Sequence, residues 1–298
     1  MLPHITVCIC TYKRPRFLRG LLESLRNQQT KGRFSYSALV ADNDELRSAE
    51  PLVEEFGKSC SVPIKYCVEP QQNIALARNK AIANAEGDYV VFIDDDEFTT
   101  PTWLSTLYET CVQYEVDGVL GPVLPHYEEA PPSWVVKGKF HERPTYPTGL
   151  VIDWKKGRTG NTLLKTHLFK AGELPFRPEF LTGEDQDFFR RMIERGHRFV
   201  WCNEAVAYEI VPSQRCKRSF MLRRALLRGK VFLRHPTTGK KELLKSAVAV
   251  PGYAIVLPFL LLLGQDKFMK YLVKACDHLG RLLAVAGIDV IREQYVTE

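Results

Sequence analysis

Strand-length apolar runs alternate with amphipathic segments through the first half of this chain, and that alternation admits few folds. HITVCIC opens the series, and Pro15 then starts RFLRGLLESLRNQ, in which Phe17, Leu18, Leu21, Leu22 and Leu25 share one helical face. YSALVAD and VPIKYCV read as the second and third strands, IALARNKAIANA as an Ala-rich helix ending near Gly87, and DYVVFI as the fourth strand. PTWLSTLYETCVQY carries proline at a helix start, and DGVLGPV follows as a further strand. Parallel strands need a crossover, usually a helix. The rhythm therefore predicts an α/β fold, a mostly parallel Rossmann-like sheet with helices on both faces.

The rhythm breaks at PVLPHYEEAPPSWVVKG, whose prolines and aromatics suggest an ordered, irregular loop of the kind that covers a site. GRTGNTLL and LTGEDQDFFRRMIERG follow, and then the short strands RFVWC and AVAYEI. Composition changes near Pro212, which places a domain boundary there: 1–211 catalytic, 212–298 helical, basic and apolar. Eight cysteines include no C-x-x-C pair, and Cys8 and Cys10 alternate inside an apolar strand, so reduced core thiols in a cytosolic protein are expected. The chain enters HITVCIC with no charged-then-apolar leader, and no secretory signal is expected.

The fourth strand ends in VVFIDDDEF, where Val90, Val91, Phe92 and Ile93 run straight into Asp94, Asp95, Asp96 and Glu97. Adjacent carboxylates repel, and each resists desolvation. A hard divalent cation such as Mg²⁺ relieves both, held by one or two carboxylates together with substrate phosphates. Acidic runs are commonly solvated turns. At the end of a buried strand the run points to a site, because ligands of open α/β sheets bind outside the strands' carboxyl ends.

Four ordered blocks, VCICTYKRP, VADND, NIALARNKAIANAEGDYVVFIDDDEF and GEDQDFFRR, resemble the family-2 glycosyltransferases over residues 4–211. Asn73, Ala77, Arg78, Asn79, Gly87 and the acidic triplet fall where the family pattern has them. The resemblance implies an A-type nucleotide-sugar transferase fold, an inverting reaction, a UDP-linked donor and a divalent metal, Mg²⁺ or Mn²⁺. It implies Asp96 as the direct metal ligand with Asp94 beside it, Asp95 as an alternative contact to ribose, and Arg78 as a donor-binding arginine. Thr11, Tyr12 and Asp42 are expected to form the nucleobase pocket, with Asp42 accepting from the uracil ring N–H. Asn161 is expected to line the sugar or acceptor pocket. Asp185 is the expected base, with Glu184 orienting it or an acceptor hydroxyl. These residue types suit the chemistry. A leaving nucleoside diphosphate builds negative charge that a Lewis acid neutralises, an arginine fork grips phosphate, and the acceptor hydroxyl needs a positioned proton acceptor.

One departure from the family matters. Its processive polysaccharide synthases carry Q-x-x-R-W after the base, whereas QRCKRS puts Lys217 and Arg218 at the last two positions. Addition of one sugar, not extrusion of a polymer, is the implication. The seven histidines show no H-x-x-x-H spacing, so structural or surface roles are expected of them.

From Pro212 to Lys245, eleven Lys and Arg stand against a single acid, Glu242, in a chain of net charge +6. Such a block seeks an anionic partner. Residues 246–265, SAVAVPGYAIVLPFLLLLGQ, carry no charge and at about 1.5 Å per residue would just span a bilayer. Pro251, Gly252 and Pro258 are expected to interrupt a straight helix, which favours a peripheral or monotopic insert at the cytoplasmic face of the inner or plasma membrane. Lys and Arg would then meet an anionic membrane surface. A helical hairpin packed on the catalytic domain is the alternative. Nucleic acid is not an expected partner, since so long an uncharged stretch does not suit a phosphate-tracking surface. Membrane attachment implies a polyprenyl-linked saccharide acceptor, and the tail is similar to that of bacterial exopolysaccharide enzymes such as succinoglycan glucosyltransferases.

Rival classes fit less well. A sugar nucleotidyltransferase needs a Gly-rich phosphate loop after the first strand, where this chain has CTYKRPRF. A haloacid-dehalogenase phosphatase needs Thr or Val where Phe98 stands, and an EF-hand needs Gly where Thr99 stands. A non-catalytic sugar-binding membrane protein would have no use for both the D-x-D and the distant carboxylate pair.

Overall fold

The first four apolar runs become β1 (His4–Thr11), β2 (Ser35–Asp42), β3 (Ile64–Val68) and β4 (Tyr89–Asp94), paired in parallel in the order β3-β2-β1-β4. The computed structural model describes residues 2–170, 172–180, 182–232, 240–288 and 291. The crossovers are α1 (Pro15–Arg26), α2 (Glu50–Ser59) and α3 (Ile74–Asn84). α1 has no side-chain cap, but all five apolar residues of its stripe are buried. At about 1.5–3 kcal/mol per buried side chain, that face outweighs the roughly 1 kcal/mol a cap supplies. α3 depends more on its ends. Asn73 accepts from the Ala75 and Leu76 amides at 2.8 and 3.3 Å, and small Ala75, Ala77 and Ala81 let the helix lie close on the sheet.

Beyond β4 come β5 (Glu97–Thr99), α4 (Trp103–Gln113), β6 (Gly118–Leu120), β7 (Val123–Tyr127) and α5 (Ser133–Gly138). They are followed by β8 (Thr162–Lys165), α6 (Glu184–Glu194), β9 (Phe199–Trp201) and β10 (Ala207–Val211). The main sheet runs β3-β2-β1-β4-β8-β6-β9, with β8 antiparallel to both neighbours, and a small sheet runs β5-β10-β7. DGVLGPV is two strands rather than the single one expected. Gly121 sits where a Cβ would lie 2.3 Å from the Ala205 carbonyl oxygen, and Pro122 cannot donate to a ladder, so the chain changes sheets there. Apolar side chains fill both faces of the main sheet. Ile5, Val7 and Ile9 of β1 lie with the α1, α2 and α4 residues, while Cys8 lies with those of α3 and α6. All eight cysteines are free thiols.

The tail folds as α7 (Arg218–Phe232), α8 (Lys240–Leu263) and α9 (Gln265–Val285). Val211 and Cys216 join Met221 of α7 and Met269 of α9 against Trp134 and Val135 of α5. α7 and α9 touch through facing glycines: a Cβ on Gly229 would lie 2.2 Å from the Asp277 carbonyl oxygen, and one on Gly280 2.3 Å from that of Leu226. α8 and α9 form an antiparallel hairpin, with Ser246 Oγ 3.0 Å from His278 Nδ1 and Arg281 3.7 Å from Glu242. The expected interruption does not occur: α8 continues through Pro251 and Pro258. Each proline withholds one N–H, yet the other residues keep helical geometry. α8 leaves Val248, Ile255, Phe259 and Leu262 outward, and it is long and apolar enough to cross a membrane.

Candidate active site

Register brings the strand ends together. Thr11 pairs with Asp42 across β1–β2, and Cys10 with Asp94 across β1–β4, so the DDDE turn lies beside the ends of β1 and β2. A cavity of about 650 Å³ opens here, and Tyr12, Arg78, Asp94 and Asp96 are on its wall.

The four acids of the turn have separate environments. The Asp94 side chain is 44% exposed. Asp95 is fully buried, accepting from Thr11 Oγ1 at 2.7 Å and ion-paired to Arg14 at 2.7 Å. Burial pushes its carboxyl up to about 7 despite Arg14. Asp96 Oδ2 takes Arg14 Nη1 at 3.2 Å and Arg215 Nη2 at 2.8 Å, while Oδ1 has no hydrogen-bond partner among the described residues. Glu97 is fully buried, its Oε1 without a hydrogen bond among the described residues, and burial, with Asp94 and Asp96 beside it, raises its pKa well above the ordinary value.

Opposite lies the α6 start. Glu184 is ion-paired with Arg78, whose Nη2 is 4.0 Å from Asp94 Oδ1. Arg78 thus bridges the strand-end acid to the α6 carboxylates. Burial works against its charge, but Glu184 and Asp94 outweigh that and hold its pKa above the ordinary value. Asp185 is half-buried, and its Oδ1 accepts the Gln186 amide at 2.7 Å. Burial and the neighbouring Glu184 charge push it up to about 6.

Four of the expected residues have inward partners. Asp42 is fully buried and committed inward, accepting the Asp44 and Ala49 amides at 3.1 and 2.8 Å and the Tyr66 hydroxyl at 2.9 Å. It organises the turn after β2, as Asp does in Asx geometry. Thr11 is buried and holds Asp95. Asp95 has no exposed surface to offer a ribose. Asn161 lies in the core, accepting Trp103 Nε1–H at 2.7 Å and donating to the Pro122 and Ala205 carbonyls at 2.8 and 2.7 Å. Its positive φ of 59°, tolerated by Asn, seats it there.

The structure also adds residues. Asp44 is buried with Oδ1 accepting the Leu46 amide and 3.7 Å from Lys13 Nζ, while Oδ2 has no hydrogen-bond partner among the described residues. Lys13 in turn lies over the Tyr12 ring at 5.1 Å. From the tail, Arg215 binds Asp96 and Glu209, and Lys217, Arg223 and Arg224 reach the cavity wall. Part of the basic block therefore faces the cleft. The excess of Lys and Arg was visible in the sequence, but its direction was not.

For a hard divalent ion, Asp94 at the end of β4 and Oδ1 of Asp96 in the turn after it are on offer, and two carboxylates completed by substrate phosphates suit such an ion. Elsewhere, Asp117 lies 3.1 Å from His167 Nε2 and 3.3 Å from His197 Nδ1, three groups of metal-ligand type. They precede β6, follow β8 and precede β9, at the end of the sheet away from Asp94.

Comparison with known sequences returns the family described as "Glycosyl transferase family 2", matched over residues 6–168. The succinoglycan biosynthesis protein ExoM of Rhizobium meliloti is 32% identical over 98% of this chain and 96% of its own. The putative glycosyltransferase EpsH of Bacillus subtilis is 26% identical over 62% of this chain. Among solved structures, S. aureus TarS 1-349 in complex with UDP-GlcNAc superposes with a TM-score of 0.55 at 16% identity, covering 100% of this chain and 95% of that one.

Proposed function

Because the chain belongs to glycosyltransferase family 2, we propose that it moves one sugar from a UDP-linked donor to an acceptor hydroxyl with inversion, using a divalent metal. The acceptor in this reading is a polyprenyl-linked saccharide at the cytoplasmic face of the membrane, in cell-surface polysaccharide synthesis. One observation carries the site assignment: Arg78 links the exposed Asp94 at the end of β4 to Glu184, next to Asp185 at the start of α6. Charge neutralisation for a leaving group and a proton acceptor are thus joined through Arg78. The UDP-GlcNAc complex of the TarS neighbour supports a UDP-linked donor, and the succinoglycan relative supports the polysaccharide context.

In this reading Asp185 takes the acceptor hydroxyl proton as the oxygen attacks the anomeric carbon from the face opposite the diphosphate. The bond to the leaving oxygen breaks, and its electron pair passes to the diphosphate. Asp94 and Asp96 are the residues to hold Mg²⁺ or Mn²⁺, which supplies Lewis-acid neutralisation when bound. Arg78 faces the same diphosphate through its planar fork. Tyr12 packs near the base, and Asp44 Oδ2, an acceptor without a protein donor, is assigned to the ring N–H in place of Asp42. The outward apolar side of α8 gives the attachment to an anionic membrane. The boundary at 211/212 separates catalytic sheet from tail in sequence, while Arg215 keeps the two joined at Asp96.

The test is the melting temperature with UDP, with and without Mn²⁺ or Mg²⁺. Ligand that binds only the native state raises it. The shift should require metal and should be lost in Asp94→Asn, an exposed and unstrained replacement. Equal stabilisation by UDP in chelator, or an undiminished shift in the variant, would overturn the metal assignment.

A further inference from the structure

The cations around the cleft divide into two kinds. Arg14, Arg78, Arg143 and Arg215 each have a carboxylate partner. Lys217, Arg223 and Arg224 are exposed, line the same cavity, and have no carboxylate within 4.0 Å among the described residues. The Arg224 guanidinium is lowered from its ordinary pKa by desolvation on the cleft wall and by the neighbouring Arg215 charge. It is solvent-accessible across the cavity yet ringed by protein, and an anion placed there would relieve it.

Helical spacing explains how α7 serves two neighbours. Phe220, Arg223, Arg224 and Leu227 repeat at three and four residues and face the cavity. Met221, Ala225, Leu226 and Gly229 turn the other way, with Leu226 and Gly229 against α9. The cleft side of α7 therefore sets two free guanidinium groups between two apolar side chains, over about 10 Å of helix. A purely charged ligand such as a free diphosphate would leave Phe220 and Leu227 unused. A purely apolar one would leave the cations unpaired.

We propose that Lys217, Arg223 and Arg224, flanked by Phe220 and Leu227, form a second anion site that holds the phosphate or diphosphate of a lipid-linked acceptor. The donor diphosphate occupies the Arg78–Asp94 part of the same cavity. The assignment of this anion to the acceptor rests on the transferase reading above. Two anionic ligands sharing one cavity would bring the acceptor's sugar near the donor, beside Arg78 and its partner Glu184, while its lipid leaves along α7.

Calorimetry on the full chain decides the matter, with farnesyl diphosphate, farnesol and inorganic pyrophosphate as probes, each in the presence of saturating UDP and Mn²⁺. Farnesyl diphosphate should bind together with UDP, at least tenfold more tightly than farnesol or pyrophosphate. The double variant Arg223→Gln/Arg224→Gln should lose at least tenfold in that affinity while keeping UDP affinity within about twofold. Both side chains are exposed, so the variant should fold, and its unliganded melting temperature checks this. Displacement of UDP by farnesyl diphosphate, a parallel loss of UDP affinity, or unchanged farnesyl diphosphate binding would each overturn the proposal. Pyrophosphate binding as tightly as farnesyl diphosphate would overturn the lipid part. Failure of UDP to bind the parent chain would count against the transferase reading, while a loss of farnesyl diphosphate affinity in the variant would still support the anion site.

Discussion

Replacing Asp185 with Asn should make the protein more stable and less active at once. The side chain keeps its shape, and its oxygen can still accept the Gln186 amide. What disappears is a carboxylate that burial and Glu184 hold at about 6 rather than 3.8. At 1.36 kcal/mol per pH unit, the ionised form is disfavoured in the fold by about 3 kcal/mol. The sign follows from linkage. A raised folded pKa gives stability that is complete below 3.8 and is lost as pH rises through about 6. Asn does not titrate, so the gain over the parent should be absent below pH 3.8, about half developed at pH 5, and full by pH 8. Near 2 °C per kcal/mol, the Tm at pH 8 should rise by roughly 3–8 °C. Sugar transfer, read as released UDP, should fall by about 10²–10⁴. The parental rate should drop below pH 6, whereas the residual rate of the variant should not. A stability gain that ignores pH would refute the electrostatic reasoning. Transfer at the parental rate would move the base elsewhere, with Glu184 the next candidate.

Asp42→Ala should lower the melting temperature, since two buried amides and the Tyr66 hydroxyl lose their acceptor, each worth about 1–3 kcal/mol when left unsatisfied. Asp44→Ala should instead weaken UDP about tenfold, and the reverse pattern in calorimetry would return the base contact to Asp42. In liposome flotation, Val248→Gln/Ile255→Gln/Phe259→Gln/Leu262→Gln should detach the chain from anionic vesicles; continued flotation would show that α8 is not the attachment. Removing everything after Val211 is a poor substitute, because it strips Cys216, Met221 and Met269 from Trp134 and Val135 and takes Arg215 from Asp96.

The parallel half of the sheet was legible because its signals are local. An apolar run is a strand whatever it pairs with, and the α1 stripe reads as a helix face before any partner is known. β8 was not legible, since TLLK is short and owes its antiparallel place between β4 and β6 to distant strands. The site divides in the same way. The DDDE turn announced itself by charge at a strand end, but which of its acids faces the cavity depends on Thr11, Arg14 and Arg215, the last 119 residues from Asp96. Asn161 shows the limit of transfer by motif. Its position in GRTGNTLL suggested a pocket, while its three hydrogen bonds to Trp103, Pro122 and Ala205 commit it to the core.

Arginine pairing also changes what the acidic turn means. Repulsion among four adjacent carboxylates implied that removing Asp96 would relieve strain. In the fold Asp96 is instead the shared partner of Arg14 and Arg215, both largely buried, so its removal would leave two guanidinium groups without that partner. Loss of one member of a buried pair costs about 3–5 kcal/mol, more than the repulsion it would relieve among partly neutralised neighbours. Asp96 therefore has two duties that a single Asp96→Ala measurement would confuse: cohesion between β4 and the tail, and the proposed ligation through Oδ1. Asp94, open to the cavity and 4.0 Å from Arg78, separates them. The same pair couples the parts of the chain. Arg215 fixes the start of the tail on the strand-end acids, and α7 follows within three residues, so the placement of Arg223 and Arg224 depends on the residue that holds Asp96. A perturbation of the hairpin that tilts α7 would then reach the cleft through Arg215, without any contact between α8 and substrate.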